Sequence, residues 1–272
     1  MVANGKEIDP VGRQICSPMP ACRINLLVLP FQVIAVPIKQ SMARKEIENE
    51  ITLTMNGSPV SGRAGMTILE VARENGIDIP TLCHVSRLPP SGVCRLCVVE
   101  VAGSRTLVGA CHTPITEGMM VATHSPKILA ARKILVELLM ASHPDSCLIC
   151  DKANICELRN IAADLEIGLP RFRARKHYYP LEYENPNIIR DMSKCILCRR
   201  CVVACQDLKG ERLFSVAYRG FESKVVSGCD QPVDKEACQD CDECITLCPS
   251  GALRRPRRPG EERAKKALFI KG

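Results

Sequence analysis

The stretch CILCRRCVVAC (residues 195–205) recurs 43 residues later as CQDCDECITLC (residues 238–248), with the same C-x2-C-x2-C-x3-C spacing. Cysteines separated by two residues converge on one metal centre, whereas disulfides rarely join such close neighbours. Soft thiolate ligands suit both iron–sulfur clusters and zinc. The repeat therefore predicts two cluster-binding units in one small domain, with two zinc knuckles as the alternative.

The composition also favours metal over disulfides. The 272 residues include 18 cysteines but no Trp, and aromatic residues make up only 3 %. Small domains with so few large apolar side chains need metals or disulfides in addition to packing. No secretory signal with an apolar segment and a cleavage site is evident. We therefore expect thiolates bound to metal in a reducing, cytoplasmic environment.

A third group of ligands lies upstream and consists of Cys83, Cys94, Cys97 and Cys111, with the pattern C-x10-C-x2-C-x13-C. Four thiolates suit a [2Fe–2S] centre. A strand, a hairpin turn and a capped helix precede Cys83, and this order is the opening of a β-grasp. A structural zinc site is the alternative.

A fourth group has one histidine and three cysteines: His143, Cys147, Cys150 and Cys156. A histidine at the end of a helix more often interacts with the helix dipole than with a metal. Here, however, the three cysteines would leave one iron of a [4Fe–4S] cluster without a protein ligand. Because imidazole is neutral, such a cluster would carry less negative charge and be easier to reduce.

Local signals predict several elements around these groups. Alternation predicts a strand over residues 51–55, followed by an Asn56-Gly57 turn and a return strand from Val60. A capping box at Thr67–Glu70 opens a helix that ends at Gly76. Ser125 and Pro126 start a second helix that runs to about Ser142, with Ile128, Leu129, Ile134, Leu135, Leu138 and Leu139 on its apolar side. Further strands are predicted over residues 98–101, 106–110, 213–218 and 223–227.

The repeated run, which ends in Cys248-Pro249, resembles the bacterial two-cluster ferredoxins. In that family the fourth cysteine of each run ligates the other cluster. The resemblance implies two [4Fe–4S] sites with exchanged fourth ligands. One site would have Cys195, Cys198, Cys201 and Cys248, and the other Cys205, Cys238, Cys241 and Cys244.

From about Ile47 to Leu253, the order of the four sites resembles one modular family. This module forms the N-terminal part of many [FeFe]-hydrogenases and, with variations, of the complex I large iron–sulfur subunit. It also occurs alone as the small, diaphorase-type subunit of NAD-reducing [NiFe]-hydrogenases, soluble formate dehydrogenases and electron-bifurcating complexes. The C-x10-C-x2-C spacing of Cys83, Cys94 and Cys97 matches this family and departs from the C-x4-C-x2-C spacing of plant ferredoxins.

The resemblance implies an α+β chain with a β-grasp [2Fe–2S] domain, a small helical one-histidine, three-cysteine [4Fe–4S] domain and a two-[4Fe–4S] ferredoxin-like domain. It also implies electron relay between a flavin-containing, NAD(P)H-oxidising subunit and a hydrogenase or formate dehydrogenase subunit. A complex I-type subunit, a free polyferredoxin and a nucleic-acid-binding zinc protein are the alternatives. The expected segments are 1–46 (an extension, with Met42 as the preferred start), 47–125 ([2Fe–2S]), 126–169 (one-histidine site), 170–190 (linker), 191–256 (two clusters) and 257–272 (charged tail).

Charge and missing motifs limit the other function classes. The formal net charge is +7, but four oxidised clusters with their thiolates would contribute about −7. The loaded protein would then be nearly neutral, and we expect no nucleic-acid partner. We find no dinucleotide or P-loop motif, no catalytic triad and no catalytic carboxylate pair. We therefore expect no catalytic residues and no flavin or nucleotide bound by this chain.

The remaining features are an apolar stretch near the N-terminus and the charged residues inside the two cysteine runs. The apolar stretch over residues 24–38 is short and interrupted by prolines, so we expect no transmembrane segment. Basic residues lie inside the first run and acidic residues inside the second, which predicts a higher potential for the Cys195 site unless solvent screens these charges. The residues concerned are Arg199, Arg200, Asp240, Asp242 and Glu243, and Cys16, Cys22 and Cys229 belong to no pattern.

Overall fold

The computed structural model describes residues 50–239 and 241–256. The predicted extension, the start at Met42, Cys16, Cys22, Asp240 and the charged tail lie outside these residues. In the part of the chain that is described, no helix combines the length and apolarity needed to cross a bilayer.

The first part of the chain is a β-grasp. Its sheet has the strand order β2-β1-β5-β3-β4, and β1 runs parallel to β5 while the other neighbouring strands are antiparallel. The predicted first hairpin and helix are confirmed; the strand predicted over 106–110 is shorter, and β5 was not predicted. The elements are β1 (Glu50–Met55), β2 (Ser58–Arg63), α1 (Ile68–Glu74), β3 (Val98–Val101), β4 (Val108–Gly109) and β5 (Met120–Ala122).

Local sequence explains this hairpin and its packing. Asn56 and Gly57 both have positive φ, at 52° and 84°, as a two-residue hairpin turn of primed type requires. Alternation buries Leu53 and Met55 against α1. At Gly62, a Cβ atom would lie 2.5 Å from Val71 Cγ2, so glycine lets α1 approach β2 closely.

The predicted capping box of α1 is present. The Glu70 backbone N–H donates to Thr67 Oγ1 at 3.3 Å, and the Thr67 backbone N–H donates to Glu70 Oε2 at 2.7 Å. This hydrogen bonding lowers the pKa of Glu70, although burial acts in the opposite direction. Two otherwise unpaired donors of the first helical turn are satisfied in this way.

Replacing Thr67 with alanine is expected to destabilise the β-grasp by about 1 kcal/mol, because the Glu70 N–H loses its acceptor. The measurement is urea unfolding followed by circular dichroism. Thr106→Ala, at an exposed position outside the helices, is the control. Equal unfolding midpoints for the two variants would contradict the assigned cap.

Two helices and two short 3-10 turns form the middle of the chain. Helix α2 (Pro126–Ser142) begins as predicted, with the Ile128 backbone N–H donating to Ser125 Oγ at 3.2 Å. Helix α3 (Glu157–Asp164) follows the 3-10 turns Cys147–Ile149 and Ala153–Ile155.

The apolar side predicted for α2 is partly wrong. Ile134 and Leu138 are 42 % and 47 % exposed, whereas Arg132 is buried. Arg132 donates from Nε to the Leu96 carbonyl and from Nη2 to the Val98 carbonyl, both at 3.0 Å. These bonds turn the face with Arg132 and Val136 towards the core, and apolarity alone does not reveal such a rotation.

The last part of the chain is the ferredoxin-like domain. Strands β6 and β9 pair antiparallel, and β7 and β8 form the predicted hairpin in slightly shorter form. A short helix begins within each cysteine run. The elements are β6 (Ile189–Arg190), α4 (Arg200–Lys209), β7 (Phe214–Ala217), β8 (Lys224–Ser227), α5 (Glu243–Leu247) and β9 (Leu253–Arg254).

Candidate metal centres

The first site along the chain has Cys83, Cys94, Cys97 and Cys111, which lie near one another; Cys97 and Cys111 belong to the core of the β-grasp. Cys83 and Cys94 are hydrogen-bonded through their sulfurs, which lowers the pKa of Cys83 to about 5 and raises that of Cys94. The same contact between Cys97 and Cys111 lowers the pKa of Cys97 to about 7 and raises that of Cys111. Cys111 also interacts electrostatically with Cys83 and Cys94, so the four thiols are near one another, as a four-thiolate [2Fe–2S] centre requires.

Backbone donors support this first site. The Leu82 N–H donates to Cys94 Sγ at 3.4 Å. Arg95, between two of the cysteines, has a positive φ of 58°, a conformation that is uncommon for residues with a Cβ atom. The buried Arg132 places a cation near this site. Burial lowers the pKa of Arg132, and its electrostatic interaction with Cys97 acts in the opposite direction.

The second site depends on His143, which caps the end of α2. Its Nδ1–H donates to the Pro144 carbonyl at 3.2 Å in the tautomer that this contact favours, and its Nε2 is buried without a hydrogen-bond partner. Burial lowers the pKa of His143, which favours the neutral ring, against the smaller opposing effect of the Pro144 and Lys194 carbonyls. A buried Nε2 lone pair, with the other ring nitrogen held by a carbonyl, is the arrangement of a metal-ligating histidine.

Two cavities contain the cysteines of the repeat, and each mixes residues from both runs. The first is lined by Cys195, Cys198 and Cys201 of the first run together with Cys248 of the second. The other is lined by Cys238, Cys241 and Cys244 together with Cys205. The fold thus brings together the two sets with exchanged fourth cysteines that the resemblance implies.

The thiols in these cavities need a cation if they are to ionise. Burial raises the pKa of Cys195 to about 11, and those of Cys198 and Cys244 to about 12. Iron would offset this desolvation, since metal binding replaces the thiol protons. The donor set and its burial therefore fit iron–sulfur clusters. Within residues 50–239 and 241–256, no three His, Cys, Asp or Glu side chains are arranged around a single ion.

Three of the four described charged side chains inside the two runs are in ion pairs. Arg199 is exposed, while Arg200 is buried and paired with Glu157. On the acidic side, Asp242 pairs with Arg255, and Glu243 pairs with Arg87. These partners weaken the argument for a higher potential at the Cys195 site.

Sequence reasoning missed the buried arginine between the two sites of the repeat. Arg190 is 1 % exposed, pairs with Glu182 at 2.8 Å and donates to the Val225 carbonyl at 2.9 Å. Its charge opposes the raising of the pKa of both Cys195 and Cys238 by burial. The available signal was an arginine directly after the apolar pair Ile188-Ile189 and just before the first run.

Three family descriptions match successive parts of the chain. Residues 48–126 match the 2Fe-2S iron-sulfur cluster binding domain, and residues 132–171 match the NADH-ubiquinone oxidoreductase-G iron-sulfur binding region. Residues 185–254 match the ferredoxin-like domain of NADH-quinone oxidoreductase subunit 3. Each match contains one of the predicted ligand groups or, in the last case, the repeat.

Several characterised proteins are similar to this chain. NADP-reducing hydrogenase subunit HndD of Solidesulfovibrio fructosivorans is 38 % identical over 75 % of the chain, and an NADH-quinone oxidoreductase subunit of Rhizobium meliloti is 37 % identical over 75 %. The chain spans only 36 % and 24 % of these two proteins. The gamma subunit of the NAD-reducing hydrogenase HoxS of Cupriavidus necator is 30 % identical over 76 % of the chain and 88 % of its own length.

The fold also resembles a chain in the crystal structure of NAD+-reducing [NiFe]-hydrogenase in the H2-reduced state. The TM-score is 0.72 with 27 % sequence identity. The match covers 78 % of this chain and 89 % of the hydrogenase chain.

Proposed function

Because this chain belongs to the family of the gamma subunit of the NAD-reducing hydrogenase HoxS, we propose that it is an electron-relay subunit of diaphorase type. Its partners are a flavin-containing, NAD(P)H-oxidising subunit and a second redox subunit of hydrogenase or formate dehydrogenase type. We propose that the chain relays electrons without catalytic residues of its own and that the complex works in the cytoplasm.

We propose one [2Fe–2S] and three [4Fe–4S] clusters, which when bound accept and donate single electrons. The single observation that carries this proposal is the pair of cavities that combine cysteines of both runs, and the unpartnered Nε2 of His143 supports it. The four ligand sets are Cys83, Cys94, Cys97 and Cys111; His143, Cys147, Cys150 and Cys156; Cys195, Cys198, Cys201 and Cys248; and Cys205, Cys238, Cys241 and Cys244.

The packing of the chain supports a relay, because residues from three of the proposed sites lie near one another. One apolar cluster includes Leu82, Leu96, Val136 and Leu158, with Cys156 of the second site among its buried members. Cys94 of the first site packs against the same cluster, and a cavity on the surface is lined by both Cys94 and Cys198. Short separations between successive sites are what electron tunnelling needs.

A complex I-type role is the second candidate, because the NADH-quinone oxidoreductase subunit of Rhizobium meliloti is 37 % identical over 75 % of the chain. The two roles differ in the subunits that bind this chain. Isolation from its source with a hydrogenase or formate dehydrogenase subunit would favour the first role. Isolation with membrane-bound quinone oxidoreductase subunits would favour the second.

The proposal is tested by metal analysis and reduction under anaerobic conditions. We expect iron and acid-labile sulfide in the amounts that one [2Fe–2S] and three [4Fe–4S] clusters require. We also expect NAD(P)H to reduce the chain only when the flavin-containing subunit is present. Zinc in place of iron and sulfide would overturn the proposal, as would rapid reduction of the isolated chain by NAD(P)H.

A further inference from the structure

A close contact joins two segments of the chain that carry ligands of different sites; we call residues 150–157 and 245–251 the seam. Lys152 Nζ donates to the carbonyls of Ile245, at 3.2 Å, and Cys248, at 3.4 Å. The Glu157 backbone N–H donates to the Pro249 carbonyl at 3.0 Å. The seam therefore sets the His143 site directly against the Cys195 site.

Arg200 lies across this seam as a buried cation. Its side chain is 6 % exposed, and its guanidinium contacts Glu157 through Nη1–Oε1 at 2.7 Å and Nη2–Oε2 at 2.8 Å. Nη1 also donates to the Leu247 carbonyl at 3.2 Å. Two parallel charge-assisted bonds fix orientation as well as distance, which a lysine ammonium at the same place does not do.

The partners of Arg200 are neighbours of the proposed ligands in the sequence. Glu157 follows Cys156 of the His143 site, and Leu247 precedes Cys248 of the Cys195 site. Arg200 itself lies between Cys198 and Cys201 of the Cys195 site. A single guanidinium thus holds the backbone next to ligands of both sites.

We propose that Arg200 and Glu157 are positioning residues that set the separation and mutual orientation of the His143 site and the Cys195 site. This inference rests on the ligand sets of the proposed function. Electron tunnelling falls exponentially with distance, so a small shift across the seam changes the transfer rate strongly. Arg200 is buried, but the Glu157 side chain is 42 % exposed, and ion pairs with a solvent-exposed partner add little net stability. A role in geometry therefore accounts for this pair better than a role in stability.

The neighbouring Arg199 provides a matched control. Both arginines stand in the same run, but Arg199 is exposed and Arg200 is buried. Arg→Lys at either position keeps the charge and removes the planar fork. A purely electrostatic effect of the run on its cluster would therefore leave both variants unchanged, whereas a positioning effect would appear in Arg200→Lys alone.

The experiment uses the full-length, cluster-loaded chain after chemical reduction, with the magnetic interaction between the two sites measured by electron paramagnetic resonance. We expect Arg200→Lys and Glu157→Gln each to weaken this interaction, with iron content unchanged. The double variant should lose no more than the larger single loss, because the two residues act as one unit. Arg199→Lys should match the wild type.

An unchanged interaction in both Arg200→Lys and Glu157→Gln would overturn the inference, and so would additive losses in the double variant. If Arg200→Lys does not assemble, Glu157→Gln decides in the same way, because it keeps the shape of the side chain. A wild-type chain without clusters at these two sites would overturn the ligand sets and the inference together. Interacting clusters that the variants leave unaffected would overturn the inference alone.

Discussion

Replacing Cys205 with alanine is expected to abolish the cluster bound by Cys238, Cys241 and Cys244 of the second run. The cluster bound by Cys195, Cys198 and Cys201 should remain, although Cys205 belongs to the same run as these three cysteines. The reason is the exchange of fourth ligands. Cys205 lines a cavity with Cys238, Cys241 and Cys244, and it is absent from the lining of the cavity around Cys195. The expected loss is the iron and sulfide of one [4Fe–4S] cluster per chain.

Double variants show which cluster is lost. Cys205→Ala combined with Cys241→Ala should lose no more iron than either single variant, because both remove the same site. Cys205→Ala combined with Cys198→Ala should lose twice as much. The reverse pattern would show that each run binds its own cluster. Cys229→Ala, at an exposed cysteine outside the four patterns, should keep the full iron content.

Replacing Gly251 with alanine is expected to disrupt the His143 site selectively. A Cβ atom at this position would lie 2.7 Å from Cys150 Sγ and 3.2 Å from Lys194 Cδ. The lysine chain is flexible and can move, but a cysteine bound to a cluster cannot move without losing its geometry. Overpacking of this kind destabilises by about 1–3 kcal/mol, so we expect loss or distortion of the cluster.

The measurement for Gly251→Ala is the iron content together with the paramagnetic signal of the reduced chain. Gly168→Ala is the matched control, because a Cβ atom there meets nothing within 4 Å. We expect the control to keep every signal and Gly251→Ala to lose the one that His143→Ala also removes. Wild-type spectra for Gly251→Ala would show that the cluster at the His143 site does not depend on the close approach of residue 251 to Cys150.

Features governed by neighbouring residues could be predicted from the sequence. The Asn56-Gly57 turn, the Thr67–Glu70 capping box and the Ser125 cap all involve partners within a few positions, and the structure has all three. Strand β5 could not be predicted in this way, because Met120–Ala122 is three residues long and pairs with strands distant in the chain. The buried face of α2 depends likewise on the distant Leu96 and Val98 carbonyls.

The candidate sites likewise have some features that the sequence predicts and others that depend on the tertiary structure. The number, order and chemical type of the cysteine groups follow from the sequence alone, because two-residue spacing makes ligands converge locally. Only the tertiary structure shows that Arg200 is buried while Arg199 is exposed. It also shows that Nε2 of His143 is buried without a hydrogen-bond partner and that Gly251 lies against Cys150. Burial and pairing arise from contacts between segments far apart in the chain, and no local spacing encodes them.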